Sequence, residues 1–189
     1  MGVQMAVPKR KLSKCFSDLH VEYTFCRINP LFTNLYTTFF GREPALSLGV
    51  AFQITNILRD IGEDAVQRGR IYLPQQDMEM FGVTEEQIFA QKVDENFIAF
   101  MKYQIERARL YYERALRGVA MLSPESRLPV QISLDCYGKI LDKIEENGYD
   151  SLTKRAYCSK WEKLAEIPFS WYRTQEISRS LPLPGDKKT

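Results

Sequence analysis

The chain of 189 residues has a single histidine, His20, and no CxxC spacing among its four cysteines, Cys15, Cys26, Cys136 and Cys158. A Ser-His-Asp triad or a histidine metal cluster therefore has almost no material to draw on. His20 is far in sequence from any acidic cluster and reads as an ordinary surface or loop residue. Zinc and thioredoxin-like chemistry need paired cysteines, so the four dispersed thiols read as free, in a reducing compartment. Long hydrophobic runs are missing too. The longest uncharged stretches, 28–41 and 44–58, fall short of the roughly 20 residues that span a bilayer. No transmembrane segment is expected. A large charge of one sign is also absent: the formal net charge is +2, with bases and acids interleaved, which gives no sign of a nucleic-acid partner.

What is present is enough apolar material, 44%, for one domain with a sizeable core. Its most informative stretch is Gln53-Ile-Thr-Asn56-Ile-Leu-Arg59-Asp60-Ile-Gly-Glu63-Asp64. At 100° per residue, Gln53, Asn56, Asp60 and Asp64 fall within about 80° of one another on a helix. Around that stripe, Leu48, Val50, Phe52, Ile54, Ile57, Leu58 and Ile61 are apolar on nearly every other side, the mark of a buried helix. Carboxylates, amides and an arginine in one stripe of such a helix need a metal, a ligand or a paired charge to offset their desolvation.

The rest of the pattern is helical and gives an all-α expectation. The stripe belongs to a helix over 45–66, followed by a loop over 67–83 containing Gly69, Pro74 and Gly82. Thr84-Glu-Glu-Gln87 is a capping-box signal for a short helix. Asp94 caps a long helix over 95–122, with Phe97, Met101, Ala108, Tyr111, Ala115, Val119 and Leu122 approximately on one face. Ser123-Pro124 starts another helix, which ends at Asn147-Gly148. One or two shorter helices are expected between 153 and 178, interrupted at Pro168. Residues 1–44 read as an atypical lead-in, with aromatics crowded over 23–40 and no sustained period. Lys9, Arg10, Lys11 and Lys14 precede Asp18, but the segment is poor in serine and forms no clear amphipathic helix, so it makes no convincing transit peptide. The Pro-rich tail 181–189 is expected to be disordered.

Asp60 and Asp64, one helical turn apart, repel each other unless a cation lies beside them. With all-oxygen donors, Asn56 one turn earlier and Gln53 beyond it, magnesium or manganese is favoured over zinc. Arg59, Arg68 and Arg70 flank the acids, and their planar forks suit phosphate oxygens. Tyr72 adds a hydroxyl donor. The combination reads as a diphosphate held between magnesium and arginines. The bland alternative pairs Asp60 and Asp64 with Arg59 and Arg68 on an exposed helix face. It leaves the surrounding apolar face and the two amides unexplained.

The run Leu48-Gly49-x3-Gln53-x2-Asn56-Ile57-x-Arg59-Asp60-x3-Asp64, continuing to Arg70-x-Tyr72-x-Pro74, resembles the second signature of the squalene/phytoene synthases. The resemblance extends through GRIYLPQQDMEMFGVTEEQIF, through the segment from Ser133 to Glu145, and through Thr153-Lys-Arg155-Ala-Tyr157. It covers about residues 45–180 and is nearest to plant-type phytoene synthases.

The resemblance implies an isoprenoid-synthase helical fold and head-to-head prenyl transfer. Two molecules of geranylgeranyl diphosphate would give 15-cis-phytoene through prephytoene diphosphate. Asn56, Asp60 and Asp64 would be metal ligands, with Asp60, Asp64 and Arg59 catalytic. Gln53, Arg59, Arg68, Arg70, Tyr72, Tyr137 and Arg155 would face the substrate diphosphate. Plastid location and peripheral membrane association come with the resemblance. The family carries a second aspartate-rich helix well before this one, and residues 1–44 contain no DxxxD. The expectation is thus a carboxy-terminal part of the fold, truncated, weak or inactive alone. A non-catalytic partner of a full-length synthase is the alternative. Squalene synthase is disfavoured, with no apolar carboxy-terminal anchor in view.

Overall fold

The computed structural model describes residues 42–180, and all regular structure among them is helical. Most of the lead-in, the tail, His20, Cys15 and Cys26 lie outside the described residues. Six helices follow in order: α1 (Arg42–Arg68), α2 (Gln75–Phe81), α3 (Glu85–Phe89), α4 (Glu95–Val119), α5 (Pro124–Glu146) and α6 (Lys160–Ser180).

Helix α1 is the hub. Leu48, Ala51, Ile54, Leu58, Ile61 and Ala65 are buried along it. It packs most extensively on α4 and also meets α5 and α3. Asp94 starts α4 as expected, its Oδ1 accepting the Phe97 N–H at 2.9 Å, an N-cap contribution of about 1 kcal/mol. Phe97, Phe100 and Met101 of α4 are fully enclosed, each burial contributing roughly 2–3 kcal/mol. Thr84 caps α3 by accepting the Gln87 N–H at 3.2 Å. The Gln87 side chain turns to the Lys92 carbonyl instead, so only half of the capping box forms.

Two expectations need correction. The loop expected over 67–83 contains α2, a helix of 7 residues begun at Pro74 and closed at Gly82. Gly82, at φ 70, donates to the Glu79 carbonyl and Val83 to that of Met78, a Schellman ending. Asp77 ties this helix to α4 by accepting from Gln104 at 2.7 Å and Arg107 at 2.9 Å. The break expected at Pro168 does not occur: α6 runs through it. A proline forfeits a single ladder bond, and side-chain contacts to α5 pin α6 on both sides of it, Lys139 to Glu166 and Ser170 to Asp135.

Helix α5 begins with Pro124 in its first turn and ends as expected at Asn147-Gly148, where Gly148 and Tyr149 repeat the Schellman pairing on Glu145 and Ile144. Arg127, only 2% exposed, donates to the carbonyls of Leu122 and Ala120 at 3.0 and 3.1 Å. A cation so placed caps the exit of α4 and complements its dipole. Cys136 and Cys158 are free thiols, as their spacing suggested.

Candidate functional site

The polar stripe of α1 stands at the edge of the core. Gln53, Asn56, Arg59 and Asp60 are half-buried and Asp64 is 7% exposed. Neither side-chain amide, Gln53 or Asn56, has a hydrogen-bond partner among the described residues. The carboxylates do have partners. Arg59 grips Asp60 with its fork, Nε to Oδ1 at 2.8 Å and Nη2 to Oδ2 at 2.6 Å. Arg68 pairs with Asp64 one turn away. The pairing that the bland reading required is therefore present, but in a partly buried stripe rather than on an exposed face.

A third arginine arrives from far along the chain. Arg155 Nε donates to Asp60 Oδ1 at 2.9 Å and lies 3.3 Å from Glu63 Oε2. Its position depends on the turn after α5. Asp150 folds that turn by accepting the N–H groups of Leu152 and Thr153 at 3.2 and 2.9 Å, an Asx-type device. The Ser151 carbonyl takes the Gly62 N–H at 3.1 Å. The Leu152 carbonyl takes Gln91 Nε2 at 2.7 Å. Gln91 itself has φ 52, a left-handed conformation uncommon for a residue with a side chain. The turn is thus clamped between α1 and the segment ahead of α4, and Arg155 follows from it onto Asp60.

Electrostatics follow from this crowding. Burial pushes the Asp60 carboxyl up, but hydrogen bonds from Arg59 and Arg155 outweigh it and hold the group below the ordinary aspartate value. The bond to Asp60 likewise pushes Arg59 up, against the effect of burial. Tyr137 is close enough to Arg59 to contribute to that shift, and its ring stacks on Phe52 with centroids 4.2 Å apart. Asp64, Arg70 and Tyr72 line one small cavity of about 10 Å³ with Ile57 and Ile61. There the Arg70 N–H bonds the Asp64 carbonyl at 3.1 Å, and Arg70 Nη1 reaches the Tyr72 hydroxyl at 3.3 Å.

The stripe, Arg59, Arg68, Arg70, Tyr72, Tyr137 and Arg155 therefore occupy one region of the fold. Among the described residues, no three His, Cys, Asp or Glu side chains are grouped to hold an ion. Two contributors escape sequence reasoning. Glu63 is the second anchor of Arg155, detectable as the acid one turn after Asp60. Gly62 is the floor for the 150–153 turn, its only signal a glycine inside a helix.

A sequence profile of the squalene/phytoene synthase family matches residues 35–162, a span containing every one of these side chains. The chain belongs to the squalene/phytoene synthase family. Among its relatives, the chloroplastic phytoene synthase of Daucus carota is 54% identical over 129 residues, covering 68% of this chain and 32% of that protein. The 15-cis-phytoene synthase of Synechococcus elongatus is 50% identical over 131 residues, covering 69% of this chain and 42% of its own length. This member of the family thus spans less than half the length of those relatives. A crystal structure of a dehydrosqualene synthase superposes with a TM-score of 0.65 at 28% identity, over 70% of this chain and 47% of that one. The all-α isoprenoid-synthase fold expected from the sequence is the fold the squalene/phytoene synthase chain has.

Proposed function

We propose that the chain serves head-to-head prenyl transfer, joining two molecules of geranylgeranyl diphosphate into 15-cis-phytoene by way of prephytoene diphosphate. The observation that carries this reading is the gathering of Arg59, Arg155 and Arg68 on Asp60 and Asp64. Three cations gathered on two carboxylates of the stripe form a set that would exchange partners if a diphosphate entered with a divalent ion.

The donors fit magnesium or manganese: Asp60, Asp64 and Asn56 offer oxygen only, and such ions keep waters and substrate phosphates as their remaining ligands. Bound there, the ion would neutralise and polarise the departing diphosphate. With their carboxylates so engaged, Arg59, Arg68 and Arg155 would be free to turn their forks to phosphate oxygens. Gln53 adds a donor along the same stripe, Arg70 and Tyr72 add donors beside Asp64, and Tyr137 adds a phenol beside Arg59. Preorganised donors of this kind stabilise the charge that develops as the carbon–oxygen bond breaks. Phe52 and the apolar face of α1 would wall the isoprenoid chains. The proposed compartment is the plastid, at a membrane surface, supported by the chloroplastic naming of the plant relatives and by the lipid solubility of the product.

A second reading makes this chain a non-catalytic partner of a full-length synthase, favoured by the presence of only two carboxylates of the stripe where a fuller ligand set would be needed. Turnover separates the two. The purified chain receives geranylgeranyl diphosphate and magnesium, and extracted phytoene is compared with an Asp60→Ala, Asp64→Ala control. Product that vanishes in the control supports catalysis by this polypeptide. A folded chain that makes none, alone, sinks that reading. Association with a full-length synthase on mixing then supports the second.

A further inference from the structure

Helix α6 is built inside out. Its contacts with α5 are polar: Glu166 with Lys139 at 2.7 Å, Glu162 with Lys143 at 2.9 Å, Ser170 with Asp135 at 2.6 Å, and Arg173 with Asp135. Apart from Ile177, which packs on the core, its large apolar residues face away. Trp161 is 80% exposed, Phe169 64% and Trp171 53%, and Leu164 and Tyr172 are more than half exposed. At 100° per residue, Trp161, Leu164, Pro168, Trp171 and Tyr172 form one stripe about 17 Å long. Both tryptophans of the chain are in it. Among the described helices, α5 is the only one that α6 touches, so nothing described covers this face. The helix also lies almost wholly beyond residue 162, where the family match ends.

We propose that this outward face of α6 docks the protein on an anionic lipid surface. The proposal deepens the membrane-surface setting proposed above by naming the face, and it does not depend on turnover. Two features select lipid over a protein groove. Tryptophan and tyrosine have an apolar body with a polar tip, which suits the headgroup level of a bilayer. The charges are also sorted. Glu162 and Glu166 are turned inward onto α5, whereas Lys160 and Arg179, on the aromatic side of the helix, are exposed with no carboxylate partner among the described residues. Exposed Glu176 is the one acid of the helix left outside. Cations beside an aromatic stripe complement anionic headgroups.

The test uses the full chain, without prenyl substrate. It is mixed with vesicles of phosphatidylcholine alone, or of equimolar phosphatidylcholine and phosphatidylglycerol. Tryptophan emission and acrylamide quenching are read beside co-sedimentation. The expected result is a blue shift and shielding from acrylamide on the anionic vesicles only. Co-sedimentation should weaken about tenfold in Trp161→Ser/Trp171→Ser and in Lys160→Glu/Arg179→Glu, with far-ultraviolet circular dichroism unchanged. Three results overturn the proposal. The folded chain binds no vesicles, or the variants bind as well as the parent. Alternatively, emission is already blue and shielded in buffer. A dimeric mass would then assign the face to a second copy, and a monomeric mass to the chain's own residues. Vesicle binding without phytoene formation leaves the surface standing and counts against the chemistry alone.

Discussion

Gly62 lies directly beneath the carbonyl of Leu152: a Cβ on Gly62 would stand 2.0 Å from that oxygen, a distance no real contact tolerates. The obstacle is backbone, which cannot rotate aside as a side-chain tip would. Gly62→Ala should therefore lift the 150–153 turn off α1, costing about 1–3 kcal/mol and drawing Arg155 away from Asp60. Urea unfolding reads the stability, and calorimetry with inorganic diphosphate and magnesium reads the site. An unchanged midpoint would show that the turn does not rest on Gly62 in solution.

The Asp60 carboxyl supplies a pH prediction. Its folded pKa is depressed, so the unfolded chain takes up the proton first as pH falls. The stabilisation is fully present above about pH 4 and is lost as pH drops through the folded value. Removing one hydrogen-bonding cation should raise that value. Arg155→Ala is expected to move the Asp60 carboxyl titration upward, as followed by carbon-13 NMR. A titration that does not move would separate Arg155 from Asp60.

Below the stripe, Thr55 and Tyr112 join α1 to α4 through a buried hydroxyl pair at 2.9 Å. Thr55 spends its one proton on the Ala51 carbonyl at 2.8 Å, so the Tyr112 hydroxyl is the donor of the pair. The two deletions should then differ. Thr55→Val strands a buried donor and should cost about 1–3 kcal/mol, whereas Tyr112→Phe removes that donor cleanly and should cost less. A double-mutant cycle checks the order. Equal losses would contradict the assignment of the proton.

Glu162 is held at about 2 by the hydrogen bond from Lys143, with further bonds from Ser159. Its folded value again lies below the ordinary 4.5, so its grip on α5 weakens as pH falls from about 4.5 toward 2. Tryptophan anisotropy, reporting from α6 alone, should fall in that window. Glu162→Gln should remove the transition. Persistence of the transition in that variant would assign it to another acid.

The helix carrying the stripe could be read from the chain because its period and composition act locally. Gln53, Asn56, Asp60 and Asp64 share a face by spacing alone, and the caps at Thr84, Asp94 and Gly148 are local chemistry. Helix α2 escapes because seven residues hold too few turns to show a period, although Pro74 and Gly82 bracket it. Pro168 misleads because the loss of one backbone bond is outweighed by side-chain contacts to the preceding helix, which no local pattern reveals. The meeting of Arg155 with Asp60 and Glu63 is the least legible part. It depends on a turn seated against a glycine 90 residues earlier and on a glutamine from a third segment. Arg155 is reached through the family resemblance, and Glu63 by neither route.

The inverted build of α6 also grades the cohesion of the molecule. Apart from the Thr55–Tyr112 pair, the seam between α1 and α4 is apolar and should open only with the whole domain. The seam between α5 and α6 is ionic, so salt screens it and it should open separately, by a sub-global excursion of lower free energy. Amide hydrogens of α6 would then exchange with solvent deuterium well before those of α1, and faster still at high ionic strength. The part of the protein that displays its largest aromatic surface would thus also be the part that detaches most readily.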